Sequence, residues 1–386
     1  MRRARSGRFY TKRGSGMNQK GIGIIGCGAI SRAHVNGYRA FPERCDVRAV
    51  YDVRRESADE LVRWMGGGVD VCGSMRELLA RDDIDIVSVC TPPFAHKEPV
   101  LDALRAGKHV LCEKPFAPSL ADCDEMIGEA EARGLALGVS LQGRFRRDYR
   151  QLKHMLDNRL LGDIRFAQMN GLYWRGESYY EAAWRGTWEK QSGGVMMNQA
   201  IHPLDIFVWL LGDAESVLAE MDTFGRGIEV EDFAAATIRF RSGALGQVTC
   251  TANSVQTEVS LKLSGATRAV GIPLSFHAVR EDERGHMVPD EEGVRELARM
   301  ADEIGDGPKG HAACIGDLLR AIEEGSSPDV DGAEARRVIE VITALYKSAS
   351  TGERVKLPIG RDDPWYTTDG ILAHVRRGRR GEPGSR

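Results

Sequence analysis

The sequence predicts an α/β chain in two parts, a doubly wound parallel sheet followed by an α+β domain. Three observations predict it. From Gly21 to about Ser140, short β-branched runs alternate with amphipathic helical stretches. Most of those runs are continuously apolar, as strands covered on both faces are. Beyond Ser140 the runs alternate polar with apolar residues, as strands with one wet face do. The length of 386 residues, at roughly 150 per domain, leaves room for two to three such units.

The first-half strands are expected at Gly21–Ile25, Val47–Tyr51, Ile84–Cys90, His109–Cys112 and Ala136–Ser140. Helices lie between them. One runs from Ala29 to about Ala40. Ser74-Met-Arg-Glu77 is a capping box, and Ser119-x-x-Asp122 opens a helix that Gly134 stops. A helix over Asp148–Asn158 opens the second half. Strands follow at Ile164–Asn170, Val217–Met221, Phe233–Phe240, Ala244–Thr251 and Glu258–Leu263, with Gly243 as a hairpin turn. A helix at about Met197–Leu211 interrupts them, although Pro203 suits a first helical turn and would also allow a start at 203. Residues 271–310 are polar and glycine-dotted and give no assignment. Helices at His311–Glu324 and Ala333–Ser348 end the fold.

Composition narrows the function classes. Fifty-three basic against 56 acidic side chains leave a net charge of −3, which gives no general attraction to nucleic acid or anionic membrane. The basic residues concentrate at the ends, with seven Lys or Arg in residues 1–20 and Arg-Arg-Gly-Arg-Arg at 376–380, so both ends are expected to be disordered appendages. Met17 is an alternative start, and the basic leader has no apolar signal core. Apolar runs stop short of a membrane span. Eight cysteines with neither zinc spacing nor a disulfide framework point to a reducing cytoplasm and no metal centre.

Four motifs carry chemistry. In Gly26-Cys-Gly28-Ala29-Ile30-Ser31 a strand runs into a glycine turn and then a helix. Gly26 permits the turn, Gly28 lets a pyrophosphate approach the backbone, and the helix start at Ala29 and Ile30 faces the phosphates. Asp52, about 20 residues on at the second strand's end, is placed to bind a ribose 2′-hydroxyl. The acid favours NAD, while Arg54 and Arg55 could accept the extra phosphate of NADP. The second motif is Thr91-Pro92-Pro93 with His96, a loop at the carboxyl edge of the sheet where nucleotides bind, although His96 could equally be a solvated loop residue. The third, Gly107-Lys-His-Val-Leu-Cys-Glu113-Lys114-Pro115, delivers an acid and a lysine to the same edge, with Lys114–Pro115 a candidate cis bond. On these residues alone a surface salt bridge at a strand end is the favoured explanation. The fourth is Ser192-Gly-Gly-Val-Met-Met-Asn198-Gln-Ala-Ile-His202-Pro-Leu-Asp205. If one helix covers it, Asn198, His202 and Asp205 share a face. A histidine among Ile and Leu is either a hydrogen-bonded core residue or a proton acceptor.

Together these residues resemble the Gfo/Idh/MocA family of NAD(P)-dependent oxidoreductases, from about Gly21 to Ile359. The resemblance rests on Gly26–Ser31, on the Glu-Lys-Pro ending at 113–115, on the block closing in His202 and Asp205, and on the runs Asp331–Arg337 and Thr351–Pro358. It implies an N-terminal Rossmann domain over 21–140. Over 141–360 it implies a substrate domain built on a large open, mostly antiparallel sheet whose outer face joins a homodimer or homotetramer. Residues 1–20 and 361–386 fall outside both. It implies sugars, cyclic polyols or sugar nucleotides as substrates, oxidised at a secondary alcohol or reduced at the ketone. Lys114 and His202 match the family's catalytic lysine and histidine. The family often carries Asp where Asn198 stands, and an amide can orient a histidine but cannot raise its basicity by charge.

On this reading a hydride passes between nicotinamide and a carbinol carbon while His202 takes the hydroxyl proton and Lys114 stabilises the oxygen. Tyr173, Arg175, Trp184 and Arg185 belong to an aromatic and basic cluster just before the glycine block, suited to sugar rings and their substituents. Two alternatives stand beside it: glycoside hydrolysis through transient oxidation by bound NAD, and a nucleotide-sensing regulator without chemistry.

Overall fold

The structure, a computed structural model, describes residues 19–182, 184–224 and 226–378. Strands β1 (Lys20–Ile25), β2 (Cys45–Tyr51), β3 (Asp70–Val71), β4 (Ile86–Val89), β5 (His109–Cys112) and β6 (Leu137–Val139) form a parallel sheet in the order β3-β2-β1-β4-β5-β6. The order reverses between β1 and β4, and that reversal opens a crevice at the strands' carboxyl ends. Helices α1 (Ser31–Arg39), α2 (Arg55–Met65), α3 (Met75–Leu79), α4 (Lys97–Arg105) and α5 (Leu120–Arg133) connect them. Both expected caps form: Ser74 Oγ accepts from Glu77 N and Ser119 Oγ from Asp122 N. Gly134, at φ 65°, ends α5 in the left-handed conformation. β4 is buried on both faces, which explains its unbroken apolar reading.

The second sheet has nine strands: β7 (Phe166–Trp174), β8 (Ala214–Asp222), β9 (Phe233–Phe240), β10 (Leu245–Thr251), β11 (Asn253–Ser264), β12 (Arg268–Ile272), β13 (Ser275–Glu281), β14 (Met287–Pro289) and β15 (Val355–Lys356). Their order is β14-β13-β12-β11-β7-β10-β9-β8-β15, and all neighbours are antiparallel except β7 and β10. Burial alternates along β8 and β9, so one face packs inward and one faces out. Helices α6 (Arg147–Asp157), α7 (Trp188–Gln191), α8 (Val195–Asn198), α9 (Ile201–Leu211), α10 (Glu291–Asp302), α11 (His311–Glu324), α12 (Gly332–Thr351) and α13 (Thr368–His374) complete it. α12 packs on β8 and on α5, while α11 packs on α1, where Ile315 lies against Gly37. The chain thus returns to cover the first sheet after building the second. No helix among the described residues is long and apolar enough to cross a membrane.

The structure corrects three expectations. Residues 271–310 hold β13, β14 and α10 rather than irregular chain; their faces are half wet, which blurred the pattern. The expected helix over 197–211 is two helices, because the chain turns at Gln199 and Ala200, and Pro203 stands third in α9. The C-terminal appendage is not wholly disordered: Trp365 is 3% exposed, and α13 follows it. The basic leader 1–18 and the last residues 379–386 lie outside the described residues. Lys114–Pro115 is cis, as are Ile272–Pro273 and Leu357–Pro358.

Candidate active site

The glycine turn sits at the carboxyl end of β1. Gly26 has φ +91°, and a side chain there would meet the Cys90 carbonyl carbon at 2.7 Å, so both backbone and space demand glycine. A Cβ on Gly28 would instead meet nothing within 4 Å. That open space lies ahead of α1, where Gly28, Ala29 and Ile30 are exposed, and it fits a phosphate group. Ser31, fully buried, donates to Gly28 O at 2.6 Å and fastens helix to turn. Asp52 accepts from Cys27 N at 2.7 Å and from Arg54 N at 2.8 Å, which fixes its carboxylate against the glycine turn at the edge of that space. These residues fit a dinucleotide. Thr91, whose backbone nitrogen lies beside Gly26, and Pro92 are both half-buried.

His96 and Glu113 do not join that crevice as expected. His96 is fully buried, with one ring nitrogen 2.9 Å from Pro115 O and the other 2.8 Å from Thr91 O. It braces two crevice loops from behind and is no solvated loop residue. Glu113 is 4% exposed and turns beneath the sheet edge, where Oε1 takes both His34 Nε2 and His311 Nε2 at 2.9 Å. His34 Nδ1 continues to Ser88 Oγ at 3.0 Å, and Tyr38 OH meets the same oxygen at 2.8 Å. A surface ion pair at this strand end is thereby excluded. The two histidines outweigh burial and hold the Glu113 carboxyl well below its ordinary range. The ligand atoms of His34, Glu113 and His311 lie within 4.8 Å of one another, but all three are spent on each other.

Lys114 points the other way. Its Nζ donates to Asn198 O at 3.1 Å, which joins the end of β5 to the glycine-led block of the second domain. Burial lowers its pKa first, followed by the charges of Arg185 and Arg175, with Glu113 opposing. His202, in the first turn of α9, is pushed down to about 3 by burial first and the Lys114 ammonium second. Lysine, histidine and the two arginines therefore share one electrostatic neighbourhood.

Asn198, His202 and Asp205 do not form one face. The Asn198 amide donates to Gly193 O at 3.0 Å and Gly194 O at 3.1 Å, so it ties down the glycine turn rather than orienting the histidine. Asp205 is fully buried against Arg144, with contacts of 2.6–3.1 Å, and Arg144 also reaches Glu334 at 2.8 Å. The break at 199–200 separates the two faces.

The aromatic and basic cluster folds over this place. Gln199 Nε2 donates to Tyr179 OH at 2.8 Å, and Tyr173 OH donates to Gln199 O at 3.4 Å. Arg185 stacks with its Cζ 3.6 Å from the Tyr179 ring centre and 4.7 Å from that of Trp184. Arg175 lies 5.3 Å from the Tyr179 ring and 5.9 Å from that of Tyr173.

Comparison with known proteins decides the family. Residues 20–141 match an oxidoreductase family with an NAD-binding Rossmann fold, and residues 149–270 match the GFO/IDH/MocA C-terminal domain. The chain belongs to the GFO/IDH/MocA family. It is an NAD-binding oxidoreductase. A myo-inositol 2-dehydrogenase of Thermotoga maritima is 26% identical over 87% of this chain and 98% of its own. A D-glucoside 3-dehydrogenase of Escherichia coli is 27% identical over 87% and 97%. Among solved structures, the WlbA dehydrogenase from Bordetella pertussis, in complex with NADH and UDP-GlcNAcA, matches with a TM-score of 0.77. It is 27% identical over 89% of this chain and 100% of that one.

Two residues around the candidate site carry no motif in the sequence. Glu231, 2% exposed, accepts from Gly194 N at 2.7 Å, Met196 N at 3.0 Å and Tyr346 OH at 3.0 Å, and burial lifts its carboxyl to about 7. The acidic Glu229-Val-Glu231-Asp232 run inside an apolar stretch was the available signal. His311 carried none, since only the fold brings it to Glu113.

Proposed function

We propose that this oxidoreductase moves a hydride between nicotinamide and a secondary alcohol or ketone of a sugar or cyclic polyol, with Lys114 and His202 handling the oxygen and its proton. The observation that carries the reading is Lys114 Nζ held on Asn198 O, four residues before His202 in the first turn of α9. Bound NAD supplies the hydride acceptor. Lys114 Nζ, already anchored on Asn198 O, donates a hydrogen bond to the reacting oxygen and stabilises negative charge as it develops. His202, unprotonated at neutral pH, receives the hydroxyl proton at a ring nitrogen. In the reverse direction it returns that proton. The relatives' names, an inositol and a glucoside dehydrogenase, support a ring hydroxyl as the reacting group.

Lys114→Ala and His202→Ala should each lower turnover by about two or more orders of magnitude while NADH binding, read by fluorescence titration, stays nearly intact. Full turnover in either variant removes that residue from the mechanism. Net NADH accumulation with a keto product distinguishes dehydrogenation from hydrolysis through transient oxidation. Asp52, its carboxylate fixed against the glycine turn at the end of the second strand, supports NAD over NADP. The exposed Phe166 and Leu218 on the outer sheet support a homo-oligomer, which sedimentation velocity tests. Eight free, buried cysteines accord with a cytoplasmic protein.

A further inference from the structure

Arginines with a carboxylate partner lie throughout the described residues, but the three around the candidate site hydrogen-bond only to neutral oxygens. Among the described residues Arg175, Arg185 and Arg226 make no ion pair. Arg175 Nη1 donates to Trp174 O at 2.8 Å, Arg185 Nη1 to Tyr179 O at 2.8 Å, and Arg226 Nε to Asn253 Oδ1 at 2.8 Å. All these partners are neutral. Arg185 Nε is buried with no hydrogen-bond partner at all. Aromatic faces fix the guanidinium groups: Arg185 on Tyr179 and Trp184, Arg175 on Tyr179 and Tyr173, and Arg226 5.3 Å from the Trp174 ring and 5.8 Å from that of Tyr180.

Two nearby acids are committed elsewhere, and Asp232, whose charge reaches Arg226, makes no ion pair with it among the described residues. Glu113 is held by His34, His311 and the Lys114 backbone, and Glu231 by Gly194, Met196 and Tyr346. Arg175 and Arg185 share the Tyr179 ring, and their charges reach Lys114 against the opposing charge of Glu113. Two guanidinium groups with no carboxylate hydrogen-bonded to them leave charge unneutralised, and a buried donor without an acceptor is costly. A neutral polyol would satisfy the donor but leave the charge. An oxyanion answers both, and a planar guanidinium fork matches its geometry.

We propose that the substrate is an anionic sugar or cyclitol, bearing a carboxylate or a phosphate away from the reacting carbinol, and that Arg185 with Arg175 binds this group. The proposal rests on the dehydrogenase reading for the reacting carbinol. Arg185 brings the unpartnered Nε, and Arg175 lies 5.3 Å from the same Tyr179 ring. Arg226 is the outer member of the cluster.

The test is a set of matched pairs differing in charge: glucose with glucuronate and with glucose 6-phosphate, and myo-inositol with inositol 1-phosphate. Binding to the full-length enzyme–NADH complex is measured by calorimetry, and turnover with NAD by NADH absorbance. At least one anionic member should bind about tenfold or more tightly than its neutral partner, and the carboxylate and phosphate arms separate the two sources of charge. Raising salt should weaken the anionic member selectively. Arg185→Ala should cut the preference below about twofold, mainly through Kd and KM, and Arg185→Lys should restore part of it. Equal binding of charged and neutral members overturns the proposal, as does an Arg185→Ala variant that weakens both alike. If anionic members bind preferentially but none yields NADH, the dehydrogenase reading fails and the charge assignment stands. If neutral members are oxidised as efficiently as charged ones, the reverse holds.

Discussion

His202 can accept a proton only if it is neutral, and its surroundings hold it so. Burial and the Lys114 ammonium both disfavour imidazolium, so the ring stays unprotonated far below the ordinary histidine range, at about 3. In NMR titration its ring signals should not move between pH 8 and 5. Lys114→Met should shift its titration upward, because the second cause is gone while the first remains; an unmoved titration would separate the two side chains. His109 shows the same physics in a structural role. Burial first and the Lys20 charge second push its pKa down to about 4, and its Nδ1 accepts from Ala136 N at 3.0 Å, a bond that protonation destroys. The unfolded chain takes up this proton below about 6.5, and the folded chain only near 4. Stability from this group is therefore full above pH 6.5 and falls as pH drops toward 4. His109→Gln should flatten the decline of Tm across that window, and an unchanged slope would assign acid lability to other groups.

The short helix α8 and the turn into α9 depend on one buried acid. A side chain on Gly193 would collide with Tyr346 OH and one on Gly194 with the Glu231 carbonyl oxygen, so the glycine pair lets the chain pass between α12 and the Glu231 segment. Glu231 then takes the two backbone N–H groups that this turn leaves over. In Glu231→Gln one oxygen acceptor becomes an amide donor facing an N–H. That should cost about 1–3 kcal/mol in urea unfolding. It should also lower kcat, because Asn198 O and with it Lys114 shift, while NADH affinity holds. Equal stability and kcat would show that the turn holds itself. The sequence made Gly26, Asp52, Lys114 and His202 legible because each sits in a local motif whose spacing has a mechanical reason. It also exposed the parallel strands, whose burial on both faces leaves unbroken apolar runs. It hid Glu231, His311 and the Arg144–Asp205 pair, since these meet across 37, 198 and 61 residues of chain. It also obscured the break at 199–200, because Met197 to Leu211 reads as one apolar helix when Asn198 and Asp205 are assumed to point together.

The two sheets and the cluster over the site are linked by the segment that composition dismissed as a tail. After β15 the chain crosses back to the first domain, where Tyr366 OH and Arg336 both bond to Asp124 and Thr368 Oγ1 donates to Asp122 at 2.9 Å. It then returns through α13, and Arg376 N donates to Ser350 Oγ at 3.0 Å. At its end Gly378 N donates to Glu229 O at 2.8 Å, the oxygen that also takes Trp188 Nε1 at 2.9 Å. Glu229 N in turn donates to Gly186 O at 2.8 Å, directly beside Arg185. One continuous strap therefore runs from α5, beneath the nucleotide domain, to the backbone that carries the arginine cluster. Ending the chain after His374 keeps Trp365 and the Asp122 contact but removes the grip on Glu229. The truncated enzyme should retain NADH affinity, raise KM for its sugar severalfold, and show faster amide exchange over residues 176–190. The effect should exceed that of Arg376→Ala, which spares the backbone bonds. If KM and exchange both match the full chain, the strap anchors only itself, and the loop over 223–232 holds the cluster without it.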